Sequence, residues 1–156
     1  MATFYVRKSG NDANAGTSAG AAKLTIQAAV NLATTAGDTV YVGPGSYREM
    51  VTLAASGSSG NPIQIIGDYA GTQTGDAGVV RITGSDNDST GTRSYCINSA
   101  ARSYVTIRGF LLDSYTSIGI RLATSPSNIT IDQCYIDIGA NDTAHGLATD
   151  GASQAA

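Results

Sequence analysis

The stretch Val105-Thr-Ile-Arg-Gly-Phe-Leu-Leu-Asp113 is followed, 24 residues after its start, by Ile129-Thr-Ile-Asp-Gln-Cys-Tyr-Ile-Asp137. The two segments carry apolar and polar residues in nearly the same order, and their spacing is typical of one coil of a β-solenoid. A repeat this short cannot bury its own apolar face, so successive copies must stack on one another. The repeat therefore predicts a coil of stacked strands.

The period of two along each copy predicts which side chains point inward and which point outward. We expect Ile107 to point inward against Ile131 one coil later. We expect Arg108 to point outward beside Asp132, as an exposed ion pair worth less than about 1 kcal/mol. A bend near Gly109, and near Gln133 in the second copy, resets the alternation for the second half of each copy. Like residues then stack on like, and one continuous apolar core results.

The same spacing extends beyond the two copies. Residues 39–42 and 63–66 are apolar segments about one coil apart, and residues 119–124 resemble residues 146–149. Between them, the 24-residue offset places Cys96 level with Ile120. The sequence thus predicts short strands separated by turns along most of the chain.

One segment near the start follows helical rather than strand periodicity. Thr25 is a favourable N-cap residue, and Gly37 is suited to end the helix in a left-handed conformation. The apolar positions of this helix lie on one stripe, at Ile26, Ala29, Val30 and Ala33. We expect this stripe to pack against the core.

Composition excludes several classes of function. The 156 residues carry a formal net charge of −3, and the cations are scattered rather than clustered. A nucleic-acid partner would need a basic patch, so none is expected. No apolar run is long enough to span a membrane, and the N-terminus lacks the apolar core of a signal peptide. The two cysteines, Cys96 and Cys134, are expected to be buried free thiols on different sides of the coil.

Several segments together resemble a known family. They are Phe4-Tyr-Val6, Ser9-Gly-Asn-Asp12, Leu24-Thr-Ile-Gln-Ala-Ala-Val30, Gly37-Asp-Thr-Val-Tyr-Val42, Gly45-Ser-Tyr-Arg-Glu49 and Ser59-Gly-Asn-Pro-Ile-Gln-Ile65. This pattern resembles the N-terminal cap and first coils of the pectate-lyase superfamily. The resemblance implies an all-β, right-handed parallel β-helix with one N-terminal capping α-helix. We expect a single domain over residues 1–156, with a cap over 1–38 and coils over 39–156.

The chain departs from that family in two respects. In the lyases of the superfamily the catalytic base and the calcium carboxylates lie on later coils, and no motif here accepts a catalytic Lys or Arg. There is also no recognisable C-terminal cap, and an uncapped solenoid leaves a strand edge open to pairing. We therefore expect either a fragment of a longer protein or a C-terminal coil covered by self-association or by a capping partner chain.

Asp113 and Asp137 form the strongest candidate metal site. The repeat places both on the outer surface, on adjacent coils, where oxygen ligands suit calcium. Alternatively, each carboxylate ends a strand and accepts hydrogen bonds from the following turn. This structural interpretation is favoured, because most surface carboxylates are not binding sites.

Three tyrosines are candidates for carbohydrate binding. Tyr135 is predicted to point outward from the coil, and Tyr104 and Tyr115 lie at neighbouring turns. Exposed aromatic rings can stack on sugars, whereas a loop that folds over these rings would bury them. The sequence leaves both alternatives open.

Two functions remain. The first is a non-catalytic structural or carbohydrate-contacting β-helix that acts through assembly, as in a virion or a surface filament, and it predicts an extracellular or virion-surface location. The second is the N-terminal portion of a lyase or glycoside hydrolase acting on an acidic polysaccharide. The first is favoured by the missing catalytic motifs, and the second by the resemblance of the cap.

Overall fold

The computed structural model describes residues 1–88, 90–123, 126–137 and 145–149, apart from the side chains of residues 145 and 149. The described residues are nearly all β-structure. The helices are a short 3-10 helix over Ala19–Ala21 and α1 over Ile26–Val30. The strands are β1 Thr3–Val6, β2 Thr39–Val42, β3 Gly45–Tyr47, β4 Val51–Thr52, β5 Ile63–Gly67, β6 Val80–Thr83, β7 Tyr95–Asn98, β8 Val105–Arg108, β9 Leu111–Asp113, β10 Ile118–Leu122, β11 Ile129–Asp132, β12 Tyr135–Ile136 and β13 His145–Thr149.

The strands form three sheets that are parallel throughout. The first sheet has the order β1-β2-β5-β8-β11, the second β3-β6-β9-β12 and the third β4-β7-β10-β13. Each turn of the chain contributes one strand to each sheet, and we call such a turn a rung. The first rung contributes β1 alone, and four full rungs follow. This arrangement is consistent with the predicted parallel β-helix.

The predicted register of the repeat is confirmed. Ile107 pairs with Ile131, and Arg108 pairs with Asp132, as strands β8 and β11 run side by side. The bend between the first and second sheets is also present, because Gly109 has a φ of +78°. The sequence periodicity is therefore the periodicity of the rungs.

Two other predicted offsets differ from the structure by one residue. Thr39 pairs with Gln64, so strands β2 and β5 are 25 residues apart rather than 24. In the third sheet Ile97, not Cys96, pairs with Ile120. The loops between these strands have unequal lengths, and a single inserted or deleted residue shifts the register without changing which strands are neighbours.

A single apolar core fills the space between the three sheets. The fully buried positions include an inward ladder along the first sheet, formed by Val40, Ile65 and Ile107. In the fifth rung, Ile131 occupies the next position of this ladder and is only partly buried.

Helix α1 begins as predicted and ends earlier than predicted. Thr25 is the N-cap, and its side chain accepts a hydrogen bond from the backbone N–H of Ala28. The helix ends at Val30 with Asn31 as its C-cap, so the prediction that Gly37 closes it is wrong. Gly37 does adopt a left-handed conformation, with a φ of +87°, but it does so in the turn that leads into β2. The chain leaves the helix early because residues 32–36 form turns instead of a further helical turn.

The segment over residues 7–25, which we call the cap loop after the prediction, pairs along the outer edge of the first sheet. The backbone N–H of Tyr5 donates to Gly16, and the N–H of Lys23 donates to Tyr5. Strand β1 thereby pairs with β2 on one side and with the cap loop on the other. By pairing, β1 belongs to the same sheet as the coils, although the predicted boundary at residue 38 assigned it to the cap. No helix in the described part of the chain is long and apolar enough to cross a membrane.

Candidate functional site

The largest departure from the regular coil is the loop between β5 and β6, over residues 68–79. This loop projects from the corner at which the chain passes from the first sheet to the second. In the other full rungs this corner is made by two residues, such as Gly109 and Phe110. The insertion therefore adds a wall beside an otherwise open corner of the coil.

Asp68 holds the start of this loop in place. Its carboxylate accepts hydrogen bonds from the backbone N–H groups of Thr72, Gln73 and Thr74, at 3.1, 2.8 and 2.6 Å. The Thr74 hydroxyl donates a further bond at 2.9 Å. Burial alone would raise the pKa of Asp68, but these hydrogen bonds outweigh it and hold the pKa below its ordinary value. Asp68 is therefore an ionised anchor for the loop.

A second contact ties the far side of the loop to the first rung. Arg7 donates from Nε and Nη2 to the Oδ2 atom of Asp76, at 2.8 and 2.6 Å. The pair is partly shielded, with 24% of the Arg7 side chain exposed. The loop is consequently fixed at both ends relative to the sheets.

An open groove lies between the 68–79 loop and the corner of the coil. One half of this groove is lined mainly by apolar residues. This half has a volume of about 220 Å³. The rings of Tyr69, on the loop, and Tyr135, on β12, are 61% and 67% exposed and both line it. Its remaining lining residues are Val79, Val80, Gly109, Phe110, Leu111 and Gln133.

The groove continues into a polar half of about 310 Å³. Tyr69 and Gln133 line both halves, so the two are contiguous. Arg108 lines the polar half and donates from Nε to Asp132 at 2.7 Å. Tyr41, Asp68, Thr72 and Gln73 also line it.

Glycine forms the floor of the groove at the corner. A Cβ atom on Gly67 would lie 2.2 Å from the carbonyl oxygen of Gly109 in the next rung. Side chains are excluded at this point because the two backbones approach each other so closely. The two rungs can therefore stack closely at this corner.

The structure separates the three predicted tyrosines. Tyr135 is exposed and lines the apolar half, whereas Tyr104 is half-buried and is not part of the lining. Tyr115 is only 4% exposed. Of the two alternatives left open by the sequence, burial holds for Tyr115, and the expectation that its ring is available to a sugar is wrong. Burial raises the pKa of Tyr115 to about 12.

The two predicted metal ligands differ in their surroundings. Both oxygens of Asp113 accept hydrogen bonds from Arg81, at 2.6 Å from Nε and 3.0 Å from Nη2. Asp137 follows β12 in the next rung, where its backbone N–H donates to Leu112. Because a guanidinium already holds both Asp113 oxygens, the pair does not fit a calcium site as it stands. Among the described residues, no three His, Cys, Asp or Glu side chains lie close enough to hold a metal ion.

Arg81 also takes part in a wider surface network. Its Nη1 atom donates to Asp88 at 2.7 Å, and Asp88 is bound in turn by Arg48. The prediction of paired outward charges on adjacent rungs therefore holds more widely than the single pair Arg108–Asp132.

Both cysteines are free, as predicted, but they differ in burial. Cys96 is buried, and burial raises the pKa of its thiol to about 12, so it remains protonated. Cys134 is partly buried, which the sequence did not predict.

Sequence reasoning missed the loop's contribution to the site. Tyr69 lies outside the repeat, so periodicity gave it no position. The available signal was the irregular stretch after Gly67, because insertions in a solenoid map to loops on its sides and often to its binding face. Gln133 was recognised only as a bend, although an exposed amide at a corner is a hydrogen-bonding group in its own right.

Comparison with solved structures supports the fold. The GH136 lacto-N-biosidase from Eubacterium ramulus matches with a TM-score of 0.69 and 16% identity over 94% of this chain and 30% of that chain. Its selenomethionine derivative gives 0.68 and 16% over 95% and 30%. A rhamnogalacturonan lyase matches with a TM-score of 0.62 and 21% identity over 83% of this chain and 34% of that chain. No protein-family model and no curated protein matches the chain.

These likenesses are at identities that show the fold alone. The chain spans about a third of the length of the solved structures that it matches.

Proposed function

We propose that the protein binds carbohydrate in the groove between the 68–79 loop and the corner of the coil. The observation that carries the proposal is the pair of exposed rings, Tyr69 and Tyr135, that line one hollow. Sugar rings have an apolar C–H face and a rim of hydroxyl groups. The tyrosine rings can stack on the apolar C–H face, and the Gln133 amide can hydrogen-bond the hydroxyl groups.

The carboxylates beside the groove favour binding over catalysis. Asp132 is engaged by Arg108, and Asp68 is engaged by the backbone of its own loop. A glycosidase needs two carboxyl groups that face the scissile bond, one of them with a raised pKa. Hydrogen bonding instead lowers the pKa of Asp68. We therefore propose a non-catalytic, carbohydrate-contacting β-helix.

We further propose that the coil is right-handed and that α1 is its cap. Connections between parallel strands of one sheet are right-handed in nearly all proteins. The apolar face of α1 packs on the first rungs, with Ile26, Ala29 and Val30 buried.

The proposal is tested by comparing the glycan affinity of the parent protein with that of the variants Tyr69→Ala and Tyr135→Ala. The purified chain is screened against an array of plant, bacterial and animal glycans, and the affinity of each hit is measured by calorimetry. Loss of a stacking contact should weaken binding about tenfold in either variant. Tyr104→Ala, outside the groove, is the matched control and should bind normally. If no glycan binds, or if both groove variants bind as well as the parent, the proposal is wrong.

A second candidate function is supported by the comparisons. The matched structures are enzymes of which this chain spans about a third, so the chain also fits the N-terminal portion of a polysaccharide lyase or glycoside hydrolase. Release of reducing ends or unsaturated products from an acidic polysaccharide, with and without calcium, would favour this candidate. The calcium site at Asp113 and Asp137 remains a prediction. Calcium binding there would require the hydrogen bonds from Arg81 to Asp113 to break.

Assembly through the C-terminal coil also remains a proposal, with an extracellular or virion-surface location. Ile129, Ile131 and Ile136 point into the core of the fifth rung but are only partly buried among the described residues. A second copy or a capping chain that covers them would bury further apolar area. Light scattering on the purified chain tests this proposal, because assembly predicts a defined oligomer.

A further inference from the structure

Aromatic rings recur from the first rung to the fifth, first on the first sheet, then on the 68–79 loop at the corner, and last on the second sheet. The rings of Tyr5 and Tyr41 on neighbouring strands lie 6.1 Å apart, centroid to centroid. Tyr41 shares the polar half of the groove with Tyr69, and Tyr69 shares the apolar half with Tyr135. The rings therefore form a track whose direction follows the axis of the coil.

The length of this track exceeds a single sugar. Adjacent rungs of parallel strands are about 4.8 Å apart, so Tyr41 in the second rung and Tyr135 in the fifth are separated by about 14 Å along the axis. That distance is several times the width of one sugar ring. Each half of the groove, at about 220 and 310 Å³, is at or below the small end of ordinary ligand pockets. A ligand that fills only one half would leave the other ring contacts unused.

The charged groups that line the groove already have partners among the described residues. Arg108 is the cation of the lining, and Asp132 neutralises it at 2.7 Å. Asp68 is the anion of the lining, and its oxygens accept from three backbone N–H groups and a hydroxyl. A uronic acid would have to compete with Asp132 for its guanidinium partner. The remaining polar groups of the lining, on Gln133, Thr72 and Gln73, are neutral and suit hydroxyl groups.

We infer that the ligand is a neutral oligosaccharide of at least three units that lies along the coil axis and occupies both halves of the groove. The inference rests on the proposed function, because it specifies the ligand of the same site. It differs from the expectation of an acidic polysaccharide drawn from the family resemblance.

The first experiment compares ligands of different length and charge. Neutral gluco-, galacto- and xylo-oligosaccharides of two to six units are titrated beside oligogalacturonates of the same lengths. For at least one neutral series, affinity should rise by about tenfold or more from two units to four and then level off. Oligogalacturonates should bind more weakly, and their affinity should fall further at low salt, because the protein carries net negative charge.

The second experiment locates the two ends of the ligand. Tyr41→Ala should weaken binding of a hexasaccharide about tenfold and leave binding of a disaccharide unchanged. Tyr69→Ala, which affects both halves, should weaken binding at every length. Tyr104→Ala is again the control for folding and for general loss of an aromatic ring.

The outcomes separate the inference from the proposed function. Affinity that is complete at two units, or a preference for the oligogalacturonates, overturns the inference and leaves carbohydrate binding intact. An effect of Tyr41→Ala on the disaccharide equal to that on the hexasaccharide also overturns it. Failure of every glycan to bind overturns the proposed function and the inference together.

Discussion

At the scale of single residues, the groove depends on a lining carboxylate that is already hydrogen-bonded to its own loop. Asp68 is 6% exposed and gathers three backbone N–H groups into one turn. Among the described residues, these three N–H groups have no other acceptor, because the loop leaves the sheet. Tyr69 follows directly in the chain, so the geometry of this turn decides where the aromatic wall of the groove stands.

We predict that Asp68→Asn lowers the free energy of unfolding at neutral pH by about 1–3 kcal/mol, because an amide replaces one acceptor oxygen with a donor. The parent should lose this advantage in acid. The pKa of Asp68 lies below its ordinary value of 3.8 in the folded state, so its stabilisation is complete above that value and disappears as the pH falls through the folded pKa. Urea unfolding of both proteins at about pH 7 and about pH 3 measures the effect.

The difference between the two proteins should therefore shrink at the lower pH. A difference that is the same at both pH values would show that the carboxylate is not ionised in its hydrogen bonds. Asp86→Asn is the matched comparison for an exposed carboxylate. Hydrogen bonds from Arg93 and Thr92 also lower the pKa of Asp86, so its effect should have the same sign and be smaller, because the carboxylate is at the surface.

At the scale of elements, the cap helix is joined to the coil by a side chain from another rung. The carboxylate of Glu49 accepts from the backbone N–H groups of Ile26 and Gln27, each at 2.9 Å. These are among the unpaired donors at the start of α1. Burial raises the pKa of Glu49, and the two hydrogen bonds only partly offset that effect. A helix of five residues has little stability of its own, so such contacts hold it in place.

We predict that Glu49→Ala lowers the free energy of unfolding by about 1–3 kcal/mol, because two buried N–H groups lose their acceptor. Glu49→Gln should have an intermediate effect, since one oxygen remains. Urea unfolding gives the free energies, and hydrogen exchange of the amides in Ile26–Val30 shows whether the helix itself loosens. A normal unfolding midpoint for Glu49→Ala would mean that solvent satisfies these amides and that the cap is held by its apolar face alone.

The elements also show what the sequence could predict. The register of β8 and β11 follows from the alternation in Val105–Arg108 and its copy, because both faces of a strand are strongly marked there. The register of β2 with β5 is shifted by one residue because loop length, not alternation, decides it. The end of α1 was mispredicted, since Gly37 fits a left-handed turn equally well after a helix and before a strand.

The groove was less predictable than the coil for the same reason. Tyr135 lies within the repeat, so its outward direction could be read from Leu111 one rung before. Tyr69 lies in an insertion whose path is set by Asp68 and by the distant pair Arg7–Asp76. Contacts between residues 69 positions apart leave no periodic signal in a single sequence.

At the scale of the whole molecule, the two ends of the coil are closed to different extents. At the first rung, the cap loop pairs with β1 through Gly16 and Lys23. At the fifth rung, Ile131 is partly exposed, whereas Ile107, directly below it, is fully buried. Stability in stacked repeats is nearly a sum of neighbour contacts, so a rung that contacts only one described neighbour should open more easily.

We predict that amide hydrogen exchange is at least about tenfold faster in β11 and β12 than in β5 and β8, since opening of a terminal rung breaks fewer contacts than opening of an interior one. Peptide-level exchange by mass spectrometry on a sample shown to be monomeric by light scattering measures this gradient. β1 should exchange as slowly as the interior strands because the cap covers its edge. Equal protection of β11 and β8 in the monomer would contradict the prediction and show that the fifth rung is covered within one chain. Protection of β11 that rises with protein concentration would instead locate a self-association surface on that rung.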